Sequence, residues 1–336
     1  MKSIATIAQP VLVTGATGFI GRRVVHKLRA AGVAVRALVL PQETIPEAWQ
    51  QQVDIVRGDI SDPEGVRQAV AGAGTVIHLA AVVSDWGDER LYWKYTVDGS
   101  RLVFEQAVKN RARVVLTASV IIYGDNIAKG PCPEETGYGK TFGPYSRTKQ
   151  AQEKLAWEYH RDRGLRLTVV RPANVYGPGS GPWLHDIVDV LKTGAPGLIA
   201  GGRGNAGLAF VDNVADVLIL AGRDDTTIGR VYNACDGLDV TWNQYFTDLS
   251  AMIGGGKPAS APRALAAGGA VAFEFLWKVF RIKKRPPLTR EAFNLVGSDN
   301  RFPNDRMTRE LAYQPQVDYA EGLKRTRAYL EQTGRI

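Results

Sequence analysis

Val11-Leu-Val-Thr-Gly-Ala-Thr-Gly-Phe-Ile-Gly21 is a short apolar run that breaks into three glycines, each three residues after the last, and continues with helical spacing from Phe19 to Ala31. Each glycine has its own physical reason. Gly15 permits a tight turn after a strand, Gly18 lets backbone approach a bulky anion, and Gly21 lets the following helix pack closely. The amides around Thr17, Phe19 and Ile20 then stand at a helix N-terminus, whose partial positive charge suits a pyrophosphate. Three glycines can also serve turn geometry alone. The strand–loop–helix setting is what points to a dinucleotide.

Outward from that loop, strand-like and helix-like pieces alternate. Val33 to Leu40, Val53 to Arg57, Thr75 to Leu79, Arg113 to Thr117 and Leu165 to Arg171 read as strands. Helical stretches begin near Glu89 and span Pro144 to Arg163. Apolar strands separated by helices predict an α/β fold: a Rossmann-type, doubly wound parallel sheet covered on both faces. The rhythm changes after Arg171, with turn-rich Arg171 to Gly179 and Gly201 to Gly207, and helical material dominates from Thr241. The expected organisation is a dinucleotide-binding domain over 1–175 with a return segment at about 208–235. A smaller, mostly helical substrate lobe takes 176–207 and 236–330.

Bulk composition excludes several classes. The 336 residues are 45% hydrophobic and 23% charged, enough for one large core plus a lobe. A net charge of +8 favours anionic ligands or an anionic membrane surface. The basic residues are dispersed, and no nucleic-acid-binding motif is present, so no nucleic-acid partner is expected. Cys132 and Cys235 are the only cysteines, too few for a metal cage or disulfide framework, and they suit a reducing cytoplasm. No metal site is expected. Ser3 to Pro10 lacks the pattern of a signal peptide, and no uncharged apolar run is long enough to span a bilayer.

Beyond the glycine loop, Asp59 in Gly58-Asp-Ile60 follows the third strand, where its carboxylate could meet an adenine or merely cap the turn before Pro63. Leu79, Ala80 and Ala81 are small enough for a cofactor to cross the sheet edge, and His78 reads as a packed strand-end residue. The end of the second strand, Arg36 to Pro41, has no carboxylate to grip a ribose. That absence favours NADP over NAD, with Arg22 or Arg36 as candidate cations for the extra phosphate.

Tyr145 and Lys149 are four apart and share a helix face. A tyrosine hydroxyl can exchange a proton with a carbonyl or alcohol oxygen while hydride moves at the carbon. A neighbouring lysine lowers its pKa and can bind a ribose, and Ser119 can hold the same substrate oxygen. Taken alone, a tyrosine and lysine at this spacing are common; their place after five alternating strands gives them weight.

These segments resemble the extended short-chain dehydrogenases/reductases, also grouped as NAD-dependent epimerases/dehydratases. The resemblance rests on Thr14 to Gly21, Ser119-Val-Ile-Ile-Tyr-Gly124, Pro144 to Lys149 with Glu153, Arg171 to Gly179, and Val211 to Asp216. It covers nearly the whole chain. It implies that Ser119, Tyr145 and Lys149 are catalytic. It also implies cofactor contacts at Gly15, Thr17, Gly18, Phe19, Ile20, Gly21, Asp59, Ile60, Leu79, Ala80, Ala81, Tyr145, Lys149, Pro172, Asn174 and Val175. A homodimer is a family-level expectation. Thr96 stands where many members have asparagine, which puts any lysine- or water-positioning role there in doubt.

Val120-Ile-Ile122 offers no acid or base for eliminating water, so dehydration is disfavoured. The arginines that nucleotide-sugar enzymes place near 206–210 and 294–296 are missing, although Arg203 or Arg301 could compensate. Farther on, Phe273, Trp277 and Phe280 recur at helical spacing beside a stripe of Glu274, Lys278 and Arg281, with Lys283-Lys-Arg285 following. An aromatic face next to cations suits a membrane edge or an apolar substrate gate through the 270–285 helix, and equally a helix packed on protein. Here the chain is similar to the 3β-hydroxysteroid dehydrogenase and β-keto acid reductase branch. The expectation is an NAD(P)-dependent oxidoreductase interconverting a secondary alcohol and a ketone on a hydrophobic small molecule. A nucleotide-sugar 4-epimerase that retains NAD, and a dinucleotide-responsive scaffold, are the alternatives.

Overall fold

The computed structural model describes residues 6–336. The start of the Ser3–Pro10 stretch therefore lies outside the described residues. In chain order the strands are β1 (Val11–Thr14), β2 (Val35–Val39), β3 (Asp54–Arg57), β4 (Thr75–His78), β5 (Arg113–Thr117) and β6 (Arg166–Pro172). They continue with β7 (Asn174–Tyr176), β8 (Leu198–Ile199), β9 (Leu208–Phe210), β10 (Val231–Ala234) and β11 (Ser260–Ala261). Seven of them form one sheet in the order β3-β2-β1-β4-β5-β6-β10, and every neighbouring pair is parallel. The order reverses beside β1, so the C-terminal ends of β1 and β4 open a crevice where a ligand can lie.

Helices α1 (Phe19–Ala30), α2 (Pro63–Val70), α3 (Glu89–Tyr92), α4 (Gly99–Asn110) and α5 (Pro144–Arg163) belong to the first half. The second half carries α6 (Asp186–Thr193), α7 (Val211–Ala221), α8 (Trp242–Met252), α9 (Arg263–Val279), α10 (Arg290–Val296), α11 (Asp305–Leu311) and α12 (Tyr319–Gln332). Strand residues alternate between two cores. Val11, Val13 and Val115 face a layer holding Val24, Val25 and Leu28 of α1 with Val214 and Leu218 of α7. Leu12, Val114 and Leu116 face Val66 of α2, Phe104 of α4 and Leu155 of α5. Because helices cover both faces, the strands read as unbroken apolar runs rather than alternating ones.

The chain between β6 and β10 leaves the sheet and comes back. β7 pairs in parallel with β9, and α7 lies against α1, where Lys27 and Asp216 make a 2.8 Å ion pair. The long helix expected from Glu89 forms in two pieces joined by one wide turn at Trp93–Asp98. Among the described residues no helix is long and apolar enough to cross a membrane, and no cluster of side chains could hold a metal ion.

Candidate active site

The glycine loop folds as its residues demand. Gly15 has φ +65°, and a Cβ there would stand 3.0 Å from the backbone nitrogen of Ala80. A Cβ on Gly21 would come within 2.1 Å of the Gly15 carbonyl oxygen, so α1 can start this close to β1 only with glycine at that position. Thr14 ties the loop to the next strand: its hydroxyl accepts from the amides of Leu79 and Ala80 at 3.2 Å each and meets His78 Nδ1 at 2.7 Å. Helix α1 has Gly18 at its N-cap, with no side-chain cap and no acid in its first turn. Its N-terminal amides are left to an anion, and Gly18 has only the Gly15 carbonyl near its vacant side-chain direction. Across the crevice a Cβ on Gly179 would stand 3.6 Å from the Phe19 ring. The loop therefore fits a dinucleotide pyrophosphate.

Ser119 lies two residues past the end of β5. Its hydroxyl accepts from the Ile121 amide at 3.2 Å and lies near the hydroxyl of Tyr145, the second residue of α5. Burial pushes the Tyr145 hydroxyl up to about 12, with Ser119 pulling it down and the Glu291 carboxylate pushing it further up. One turn later Lys149 is buried, and its Nζ donates to the Thr117 carbonyl at 2.8 Å and to Gln152 Oε1 at 2.9 Å. Burial draws the Lys149 ammonium down to about 7, while Glu153 draws it up. From Gln152 the chain of contacts continues to Ser100 at 2.8 Å, and Ser100 lies 2.8 Å from His78 Nε2. Thr96 joins through its carbonyl, which accepts from Ser100, while its hydroxyl accepts from the Val82 amide at 3.2 Å. A buried polar line thus connects Lys149 to Thr14 at the glycine loop, and His78 is packed within it, held neutral by burial with a pKa lowered to about 3.

Glu153 and Arg171 brace this frame from behind. Two hydrogen bonds of 2.6 and 3.1 Å join them in the core, and Arg171 also donates to the Tyr123 hydroxyl at 2.9 Å. That pair locks α5 to β6 and so fixes where Tyr145 and Lys149 stand.

Other expected contacts divide. Asp59 uses Oδ1 to accept from both the amide and hydroxyl of Ser61 at 2.8 Å, the turn-capping arrangement. Ile60 is packed against Gly99 at the start of α4. Pro172 ends β6, and Val175 is buried in β7. The Asn174 side chain donates to the Ala206 carbonyl at 2.7 Å, which holds β7 to the returning chain. Arg36 is not available to a cofactor: it sits early in β2 and is bound by Asp54 at 2.5 Å and the Ala69 and Ala71 carbonyls. Arg22 donates to the Thr17 carbonyl at 2.7 Å and is otherwise exposed. Arg301 is engaged by Asp299 at 2.8 Å.

Three residues were not anticipated. Glu43, just past β2, turns back so that its carboxylate accepts from the Thr17 hydroxyl at 2.7 Å. Arg57 holds that turn through the Leu40, Pro41 and Glu43 carbonyls. A carboxylate therefore stands just past 36–41, beside the glycine loop. Glu291, buried in α10, accepts from the Ser146 hydroxyl at 2.6 Å and amide at 3.2 Å, next to Tyr145. Asp85, in the segment after β4, receives both arms of Arg285 at 2.6 Å and the Thr289 hydroxyl at 2.6 Å. The last two join positions 145 and 200 residues apart, a relation that no local pattern encodes.

Comparison with known proteins agrees with this architecture. The model of the "NAD dependent epimerase/dehydratase family" matches residues 11–235. A 2-alkyl-3-oxoalkanoate reductase of Stenotrophomonas maltophilia (strain K279a) is 28% identical, over 95% of this chain and 98% of that protein. A 3-beta-hydroxysteroid dehydrogenase of Mycolicibacterium neoaurum is 26% identical over 91% of this chain and 87% of its own length. The crystal structure of gox2253 superposes with a TM-score of 0.80 at 26% identity, covering 97% of this chain and 99% of that one.

Proposed function

The chain belongs to the NAD dependent epimerase/dehydratase family, and from that membership and the site we propose that it interconverts a secondary alcohol and a ketone on a largely hydrophobic small molecule. It is an NAD(P)-dependent oxidoreductase in kind. The observation that carries the reading is Tyr145 standing near Ser119 beyond the C-terminal end of β5, with buried Lys149 one turn along. In reduction, Ser119 holds the carbonyl oxygen and Tyr145 delivers its hydroxyl proton to that oxygen. Lys149, held by Thr117 and Gln152, favours the tyrosinate that results and binds the ribose. The nicotinamide, when bound, supplies or accepts the hydride.

The glycine loop, Leu79 to Ala81 and Lys149 are the residues that would hold the dinucleotide. For the nucleotide itself Glu43 favours NAD, since a carboxylate against Thr17 would repel a 2′-phosphate and accept from a ribose hydroxyl. The preference for NADP drawn from Arg36 to Pro41 is revised accordingly.

The lobe of 176–207 and 236–330 would hold the substrate. An apolar β-keto or sterol-like molecule is supported by the names of the two relatives and by Val120, Ile121 and Ile122, all buried, which supply neither acid nor base for elimination. With Arg301 engaged by Asp299, the nucleotide-sugar reading loses a cation it needs. The direct test is Tyr145→Phe. Turnover should fall by roughly two to four orders of magnitude with dinucleotide affinity nearly unchanged, and unchanged turnover sinks the assignment.

A further inference from the structure

Helix α9 does not present the face that its aromatic spacing suggests. Its inner stripe is Ala266, Ala270 and Glu274, one helical turn apart and all buried, with Glu274 accepting from the Arg290 amide at 2.7 Å and its side chain at 2.8 Å. Phe273 and Trp277 are half-buried and packed edge to face at 5.9 Å. The outer stripe is apolar: Leu265 is 70% exposed, Phe275 65% and Phe280 69%, with Val271, Leu276 and Val279 also exposed. Isolated exposed apolar residues are ordinary, but a whole helix face of them marks an interaction surface.

The cations are placed against that stripe. Lys278, Arg281, Lys283 and Lys284 are exposed at its C-terminal end. The only carboxylate from Arg263 to Lys284 is Glu274, which is buried and paired with Arg290. We propose that the apolar face of α9 and the adjoining Lys278–Lys284 cations dock this protein onto an anionic lipid surface, in the plane of the interface. Charge selects this occupant. A second copy of the same face would bring no carboxylate to answer these cations, whereas an acidic leaflet answers all of them while the acyl region receives Phe275, Val279 and Phe280.

The surface adjoins the candidate active site. Trp86 donates to the Ile282 carbonyl at 3.4 Å, and Arg285 grips Asp85 in the segment that leaves β4 at the crevice. Val83 and Leu91 of that segment are themselves exposed. A few residues past the basic run, α10 places Glu291 on Ser146, next to Tyr145. Docking through α9 would hold the crevice at the membrane edge, where an apolar substrate is dissolved. The docking itself does not depend on which substrate is turned over.

The test is flotation of the full-length protein with vesicles of phosphatidylcholine alone and of phosphatidylcholine mixed with phosphatidylglycerol. The wild-type chain should float with the mixed vesicles and much less with the neutral ones, and high salt should release it. Phe275→Glu/Val279→Glu and, separately, Lys283→Glu/Lys284→Glu should each lower the bound fraction roughly tenfold or more, with circular dichroism and melting unchanged because these side chains are exposed. No flotation of the wild type, equal flotation on neutral vesicles, or binding indifferent to both double substitutions overturns the proposal. A dimer by light scattering that Phe275→Glu/Val279→Glu dissociates, without flotation, gives the face to a second copy and overturns it equally.

Discussion

Within about one helical turn, Tyr145, Ser146 and Lys149 meet three different electrostatic settings. Tyr145 and Lys149 were legible because their spacing puts them on one face, and Ser119 because it follows a strand. Glu43 was hidden by a reversal of the chain, since no pattern in Pro41 to Glu43 says that the carboxylate returns to Thr17. Its presence there predicts cofactor choice. Replacing Glu43 with Gln should narrow the gap between NADH and NADPH affinities by about five- to tenfold, about 1 kcal/mol of relieved repulsion at a partly exposed site. Fluorescence titration with each nucleotide measures it; an unchanged ratio removes Glu43 from cofactor selection. Glu291 predicts a pH effect. Burial raises its carboxyl from 4.5 to about 7, Asp85 adds to the rise, and Ser146 and Arg147 oppose it. Between those values the folded chain keeps a proton that the unfolded chain has lost, so this group's contribution to stability falls as pH rises from 4.5 to 7. Glu291→Gln lacks that titration. Its stability against denaturant should gain on the wild type across the window and hold the gain above pH 7, by up to about 3 kcal/mol. A difference independent of pH would show that Glu291 is already ionised in the fold.

The elements tell a similar story one level up. Helix α5 was legible to its ends, Pro144 to Arg163, because proline opens it and Gly164 closes it in the left-handed region with φ +69°. Helix α9 was legible as a helix but not in its facing. Periodicity finds an apolar stripe without saying which stripe the rest of the chain will cover, and Glu274 turned inward because Arg290 waits there. What holds α5 to the sheet is also a non-local pair, Glu153 with Arg171. Arg171→Leu should destabilise the protein by about 3–5 kcal/mol, because it leaves a carboxylate buried without its partner. Adding Glu153→Leu to it should recover much of that loss. Chemical denaturation of the three variants decides this; equal stability of single and double variants would mean that Glu153 is not charged in the core.

For the whole molecule, the parallel sheet was readable because six of its seven strands read as apolar runs between helical stretches. The expected return of 208–235 rests on Val211 to Asp216, and β10 in that stretch lies beside β6. The later lobe was not readable, since its contacts with the sheet run through Asp85 with Arg285 and Ser146 with Glu291, pairs set by the folded shape. The central claim is the proposal that this lobe over that sheet makes a redox site facing an apolar lining. The measurement that tests it most directly follows nicotinamide absorbance while purified protein meets NADH or NADPH with a panel of hydrophobic ketones, β-keto acids and nucleotide sugars, with products identified by mass spectrometry. The account predicts ketone-dependent oxidation of the nucleotide, NADH over NADPH, a product heavier by two hydrogens, and near-complete loss of both in Tyr145→Phe. Isomerised nucleotide sugar with no net nucleotide consumed, and no ketone reduced, would contradict it.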